Sequence, residues 1–117
     1  MLNQTVLVGR LTSNPEVNEL ESGKKVTNIT LAIPRNYKNA DGVYETDFIK
    51  CTLWNGIAEN TAEYCKKGDI IGVKGRVETD TYEKDGERKN SMVIVAEKVT
   101  FLSSRTQEKD NSDRDDR

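Results

Sequence analysis

Histidine is absent from this chain. That removes imidazole general bases, Ser–His and Cys–His nucleophile pairs, and every metal site that depends on a histidine ligand. Cysteine is scarce, with only Cys51 and Cys65. Two thiols cannot form a four-cysteine zinc site and fall far short of a disulfide scaffold, so they read as reduced, buried thiols. Long apolar runs are missing as well. The longest, Met92-Val93-Ile94-Val95-Ala96, is much too short to cross a bilayer. The start, Met1-Leu2-Asn3-Gln4-Thr5, has neither the basic residues nor the apolar stretch of a secretory signal. A cytoplasmic location with no membrane partner is expected. Nor is there an excess of positive charge. The formal net charge is −2, which counts against a nucleic-acid partner, because such domains are usually basic. No cofactor and no metal are expected.

What is present fits one small β domain. A chain of 117 residues with 34% hydrophobic content has room for a thin core. Strand-like patterns run near Thr5–Leu11, Lys25–Arg35, Val43–Trp54, Ile70–Asp80 and Lys89–Phe101, and Pro15-Glu16-Val17 is a candidate start for a short extra strand. Ser22-Gly23, Asp41-Gly42 and Asp85-Gly86 mark hairpin turns, where Asp-Gly supplies the positive φ angles that tight turns need. Basic residues flank each turn: Lys24 and Lys25, then Lys38, then Lys84, Arg88 and Lys89.

One helix separates the third strand from the fourth. Asn55 is a plausible N-cap, Glu59 suits the positive end of the helix dipole, and Ile57, Thr61 and Cys65 with Ala58 and Ala62 form a small apolar face. Lys66 and Lys67 are expected in the last turn, with Gly68 as the stop. Three strands, one helix and two strands is the order of an all-β, five-stranded Greek-key barrel of the oligonucleotide-binding (OB) type. This domain is assigned to residues 1–103. Residues 104–117 lack apolar side chains, cannot offset ordering entropy by burial, and are expected to be a disordered charged tail.

The third strand is the most informative segment. Alternation sends Ile49, Cys51 and Leu53 to one face and Phe48, Lys50, Thr52 and Trp54 to the other. Two aromatics and a lysine on an outer face are costly if that face meets only water. In the fourth strand Ile71, Val73, Gly75 and Val77 form the inner set, and Lys74 and Arg76 share the outer set with Ile70 and Gly72. Tyr82 and Lys84 precede the Asp85-Gly86 turn, and Tyr37 and Lys38 precede Asp41-Gly42. Aromatic rings interleaved with cations describe a surface for unstacked nucleobases: rings stack on base faces without reading sequence, and lysine or arginine attracts phosphates.

Plainer readings stand beside these. Phe48 and Trp54 could instead fill an oligomer interface. Lys38, Lys84 and Arg88 could be ordinary solvated hairpin charges. Tyr44, Tyr64 and Phe101 are expected in the core or at an interface. Glu59 and Glu63 read as a solvated helix face. The acidic residues Glu78, Asp80, Glu83 and Asp85 could form a metal site, but their spacing implies no octahedral oxygen arrangement, and flexible surface carboxylates are expected. Gly72-x-x-Gly75 lies inside a strand and reads as a bend or close approach, not as a phosphate loop. Val6-Leu7-Val8 is apolar on both faces, which points to contact with another subunit. An OB module that binds protein and not nucleic acid, or a metal-dependent nuclease, are the rival functions.

Several segments together, in order, resemble the bacterial and phage single-stranded DNA-binding (SSB) family. They are Val6-Leu7-Val8-Gly9-Arg10-Leu11-Thr12 with Pro15-Glu16, Thr46 through Trp54, Ala58-Glu59-Asn60, Lys66-Lys67-Gly68-Asp69, Gly72-Val73-Lys74-Gly75-Arg76-Val77, and Tyr82-Glu83 with Gly86. The resemblance implies a non-enzymatic homotetramer that wraps single-stranded DNA without sequence preference in replication, repair and recombination. It implies base stacking by Tyr37, Phe48, Trp54 and Tyr82, and phosphate contacts from Lys50, with Lys38, Lys74, Arg76, Lys84 and Arg88 as further cationic candidates. The chain departs from the pattern at Asn55-Gly56, Glu78 and Asp80, where relatives often carry basic residues, so weaker phosphate attraction is expected. Its end, Asp113-Arg114-Asp115-Asp116-Arg117, lacks the Pro-Phe tip through which the family recruits other proteins, so recruitment by the tail is not expected.

Overall fold

The computed structural model describes residues 1–104. The expected tail lies outside them, apart from Ser104. Six strands and one helix follow in order: β1 (Thr5–Leu11), β2 (Asn18–Glu19), β3 (Lys25–Lys38), β4 (Tyr44–Trp54), α1 (Asn55–Tyr64), β5 (Ile70–Lys84) and β6 (Glu87–Ser103). The sheet order is β1-β5-β6-β4-β3-β2, and β1 also pairs with β3. That last pairing closes β1, β3, β4, β5 and β6 into a five-stranded barrel, the expected OB arrangement. β4 and β6 meet as a short parallel pair, Cys51 opposite Ile94 and Thr52 opposite Val95. All other pairings are antiparallel.

The core follows from alternation. Leu11, Ile29, Leu31, Cys51, Leu53, Ile71 and Val73 are buried from four strands, and Ala58 seals one end from the helix. Both cysteines are buried and unpaired with each other. Burial in apolar surroundings pushes the Cys51 thiol up to about 11, so it stays protonated and inert at neutral pH.

Two glycines are set by close approach. A Cβ on Gly75 would collide with the Val95 carbonyl oxygen, beside the bulge where Lys74 pairs Lys98 but Gly75 pairs Ala96. A Cβ on Gly9 would lie 2.8 Å from Ile33 Cγ1, at the seam where β1 meets β3.

The structure corrects several expectations. The extra strand is Asn18–Glu19, not Pro15–Val17, and it borders β3 through Val26 and Lys25. Trp54 occupies the N-cap of α1 and makes no side-chain cap. Asn55 is the first helical residue, at φ +51°, and its Oδ1 accepts a hydrogen bond from the Lys25 amide across the sheet. No acidic residue lies in the first turn. The helix ends at Tyr64, before Lys66 and Lys67, because Cys65 turns extended to fill the core. Tyr44, Tyr64 and Phe101 are exposed on this chain and form no part of its core. β5 and β6 run well past the expected ends and make a hairpin arm, paired down to Lys84 and Glu87, whose residues from Glu78 to Met92 are exposed on both faces.

Candidate nucleic-acid interface

The outer face of the β3–β4 ribbon is built by register. Val26 faces Trp54, Asn28 faces Thr52, Thr30 faces Lys50, Ala32 faces Phe48 and Pro34 faces Thr46. Small or polar β3 residues thus stand opposite the bulky β4 residues, and the rings rise clear of their neighbours. Phe48 is 64% exposed, Tyr82 45% and Trp54 36%. Trp54 ends the strand and starts the helix, so its position is fixed from both sides.

Beside this face lies a groove of about 410 Å³, lined by Asn28, Ile29, Thr30, Lys50 and Thr52 from the ribbon and by Asp80, Ser91, Met92 and Val93 from the arm. The arm therefore comes back to the Lys50 side of the barrel. Along the arm Asp80 pairs with Ser91 and Tyr82 with Lys89, so even-numbered β5 residues share a face with Ser91 and Lys89. Tyr82 extends the aromatic surface from the ribbon onto the arm. Lys84 has the same parity as Tyr82, whereas Arg88 stands opposite Glu83 on the other face.

Not every candidate joins this surface. Tyr37 is exposed, but its ring takes the Arg35 guanidinium at 5.9 Å. Arg35 forks onto Asp47, with Nε donating to Oδ1 and Oδ2 at 3.2 and 3.1 Å and Nη2 to Oδ1 at 2.9 Å, and Nη1 donates to Glu45 Oε2 at 2.9 Å. Asp47 has the strand parity opposite to Phe48, so Tyr37 sits with a charge cluster near the turn end of the β3–β4 hairpin. The hydrogen bonds from Arg35 hold the Asp47 carboxyl below its usual range. Lys38 lies over the exposed Tyr44 ring at 5.7 Å, and Tyr44 shares the Phe48 parity.

Lys74 stands between Val6 on β1 and Lys98 on β6, separated from β4 by the whole of β6. Arg76 is engaged by two carboxylates, Nε donating to Glu78 Oε2 at 2.8 Å and Nη1 to Glu97 Oε2 at 3.3 Å. Its charge is largely answered on the protein itself. Lys50, by contrast, makes no ion pair among the described residues. Among the described residues no three of His, Cys, Asp and Glu gather as metal ligands.

Two contributors to this surface, Lys89 and Tyr44, and the arginine that holds Tyr37 away from it, Arg35, were not picked out by sequence reasoning. Lys89 was noted only as a turn-flanking charge, yet the arm register sets it opposite Tyr82. Tyr44 was assigned to core or interface, although continuing the β4 alternation by two steps puts it with Phe48. Arg35 gave no signal, because its partners come from the next strand. The assembled surface can stack planar rings on Phe48, Trp54 and Tyr82 and draw anions to Lys50 and Lys89.

Comparison with known proteins identifies a family. Residues 2–102 match the profile of the "Single-strand binding protein family". The chain is 44% identical over 110 residues to "Single-stranded DNA-binding protein B" of Bacillus subtilis, covering 93% of this chain and 97% of that one. It is 49% identical over 106 residues to "Single-stranded DNA-binding protein 3" of Listeria innocua and 46% identical over 106 residues to "Single-stranded DNA-binding protein" of Halalkalibacterium halodurans. In these two alignments 90% of this chain is covered, against 66% and 63% of the relatives, so the chain spans about two thirds of their length.

Proposed function

The chain belongs to the single-strand binding protein family, and we propose that it binds and covers single-stranded DNA, without catalysis and with broad tolerance of base sequence, in replication, recombination and repair. One observation carries this reading. The barrel leaves Phe48, Trp54 and Tyr82 standing in solvent on the same surface as a groove that holds Lys50, which makes no ion pair among the described residues. Exposed rings have no reason to be so arranged for water alone, and each can take one base by stacking. Among the described residues no helix is long and apolar enough to cross a membrane. A cytoplasmic site of action is part of the same reading, and two buried thiols unpaired with each other agree with it.

Titration with oligo-dT tests the reading directly. Trp54, the only tryptophan, is the reporter: stacking quenches its emission, and added salt weakens the effect by releasing phosphate contacts. Emission that stays constant at low salt refutes the proposal.

Assembly into a homotetramer is part of the same proposal. Its support is the apolar outer side of β1, where Val6 is 72% exposed and Val8 is exposed beside it. A monomer gains nothing from such a patch. Mass measurement in solution should give four chains, and Val8→Glu should lower that mass.

A further inference from the structure

Arg76 stands on the same side of the barrel as the ribbon's outer residues, although β6 lies between them. Arg76 pairs with Val95, Val95 with Thr52, and Thr52 with Asn28. Residues in register across a sheet project to one face. Arg76 therefore shares the outer face with Thr52 and, by alternation along β4, with Lys50 and Trp54. Val95 supports this placement. It is buried, yet it stands outside the core cluster that takes in its neighbours Ile94 and Ala96. Its side chain thus lies on the outer face, in the row between Arg76 and Thr52. Along that row Arg76 is two strand spacings from Thr52, about 10 Å.

The arginine is not offered to solvent as a bare cation. Nε donates to Glu78 Oε2 at 2.8 Å, and Nη1 donates to Glu97 Oε2 at 3.3 Å. The two carboxylates arrive by different routes. Glu78 follows two residues on along β5 and so keeps the same face. Glu97 is the extra residue of the β6 bulge, between Ala96 opposite Gly75 and Lys98 opposite Lys74, and a bulge re-aims a side chain in just this way. One positive and two negative charges leave the cluster net negative, on a face that elsewhere presents Lys50 without an ion pair among the described residues. The three side chains are between 41% and 46% exposed, so a phosphate can reach them, and ion pairs this open yield readily to a competing anion.

We propose that Glu78 and Glu97 act as built-in counter-ions that withhold Arg76 from DNA phosphates and so hold single-strand affinity below what the outer face would otherwise give. The inference rests on the single-strand DNA reading above. Arg76 is then a phosphate contact kept in reserve. A strand running from Lys50 and Thr52 toward β5 meets two carboxylates at the end of the row, and its phosphate must displace them to reach the guanidinium fork.

Titration of the full chain with oligo-dT, followed by Trp54 quenching at several salt concentrations, tests it. Glu78→Gln combined with Glu97→Gln removes both charges and keeps the side-chain shapes. Affinity should rise about tenfold, the lower end of what a hydrogen bond to a charged group contributes. The slope of log affinity against log salt should steepen by about 0.7, the value for one added phosphate contact. Adding Arg76→Gln to that variant should return the slope to the parent's and remove most of the gain. Glu78→Gln alone gives up the shorter of the two bonds and should show part of both changes. Glu63→Gln, on the exposed side of α1, alters the net charge equally and should change affinity less than twofold. Melting curves on the same samples establish that each variant is folded. The proposal is overturned if the double variant gains nothing, or if its gain survives Arg76→Gln undiminished or is matched by Glu63→Gln, since the last two results mean general relief of repulsion. Failure of the parent protein to bind oligo-dT at low salt overturns the single-strand reading itself.

Discussion

Replacing Phe48 by leucine isolates the contribution of one ring. The ring is 64% exposed and stands opposite Ala32, whose single methyl gives it little lateral support. Leucine preserves most of the apolar volume that the strand buries, and a change at so open a position should alter stability by no more than about 0.5 kcal/mol. The flat face is lost completely. A stacked base is worth roughly 1–3 kcal/mol, and about 1.4 kcal/mol corresponds to tenfold, so affinity for a short oligo-dT should fall between about fivefold and 140-fold. The assay is Trp54 quenching at fixed salt, with oligomer mass measured on the same samples. Because no cation is removed, the slope of log affinity against log salt should not change. If affinity falls less than twofold while mass and melting temperature hold, Phe48 does not stack on a base, and the argument from exposure fails. A lower mass would instead assign the ring to a subunit interface.

Lys50→Ala should weaken binding most at low salt and reduce the salt slope by about 0.7, the value for one phosphate contact on a single strand, measured by titrations at several salt concentrations. The Arg35–Asp47 pair makes a pH prediction. Arg35 depresses the Asp47 carboxyl below 3.8, so the pair stabilises the fold above that pH, and its contribution disappears as acid protonates the carboxylate below it. Melting temperatures of the parent and Asp47→Asn should differ near neutrality and converge in strong acid, and a gap that persists there contradicts the assignment. Gly75→Ala should destabilise the barrel by about 1–3 kcal/mol or more in urea unfolding, because its methyl would collide with the Val95 carbonyl, which is backbone and cannot rotate away.

The elements that the sequence disclosed were those with a local signature. Period-two alternation in Phe48–Trp54 and Ile71–Val77 fixed which side chains face inward, and the glycines at 23, 42 and 86 all take the positive φ that their turns require. Properties created by distant pairing were not legible. Tyr37 reads like Phe48 until Arg35 and its two carboxylates draw it to another part of the surface. Lys74 and Arg76 read as equals of Lys50, yet Lys74 is two strands away from β4, and Arg76 is occupied by Glu97, which sits at a bulge that no local pattern announces. The arm ran past its expected ends because residues exposed on both faces carry no hydrophobic period. The N-cap shifted to Trp54 because Asn55 bonds across to Lys25 instead of capping its own helix.

The closing seam of the barrel also bears on synthesis. β1 finds most of its partners in β5, with Thr5 opposite Gly75 and Arg10 opposite Ile70, and it touches β3 at only Arg10 and Leu11. The first strand made thus waits for residues 70–75, 60 to 70 positions further along the chain. At about 5–20 residues per second, the gap on the ribosome lasts roughly three to twelve seconds. Throughout that interval Val6, Leu7 and Val8 form an unpaired apolar edge on a nascent chain, open to chaperones or to neighbouring chains emerging from the same messenger.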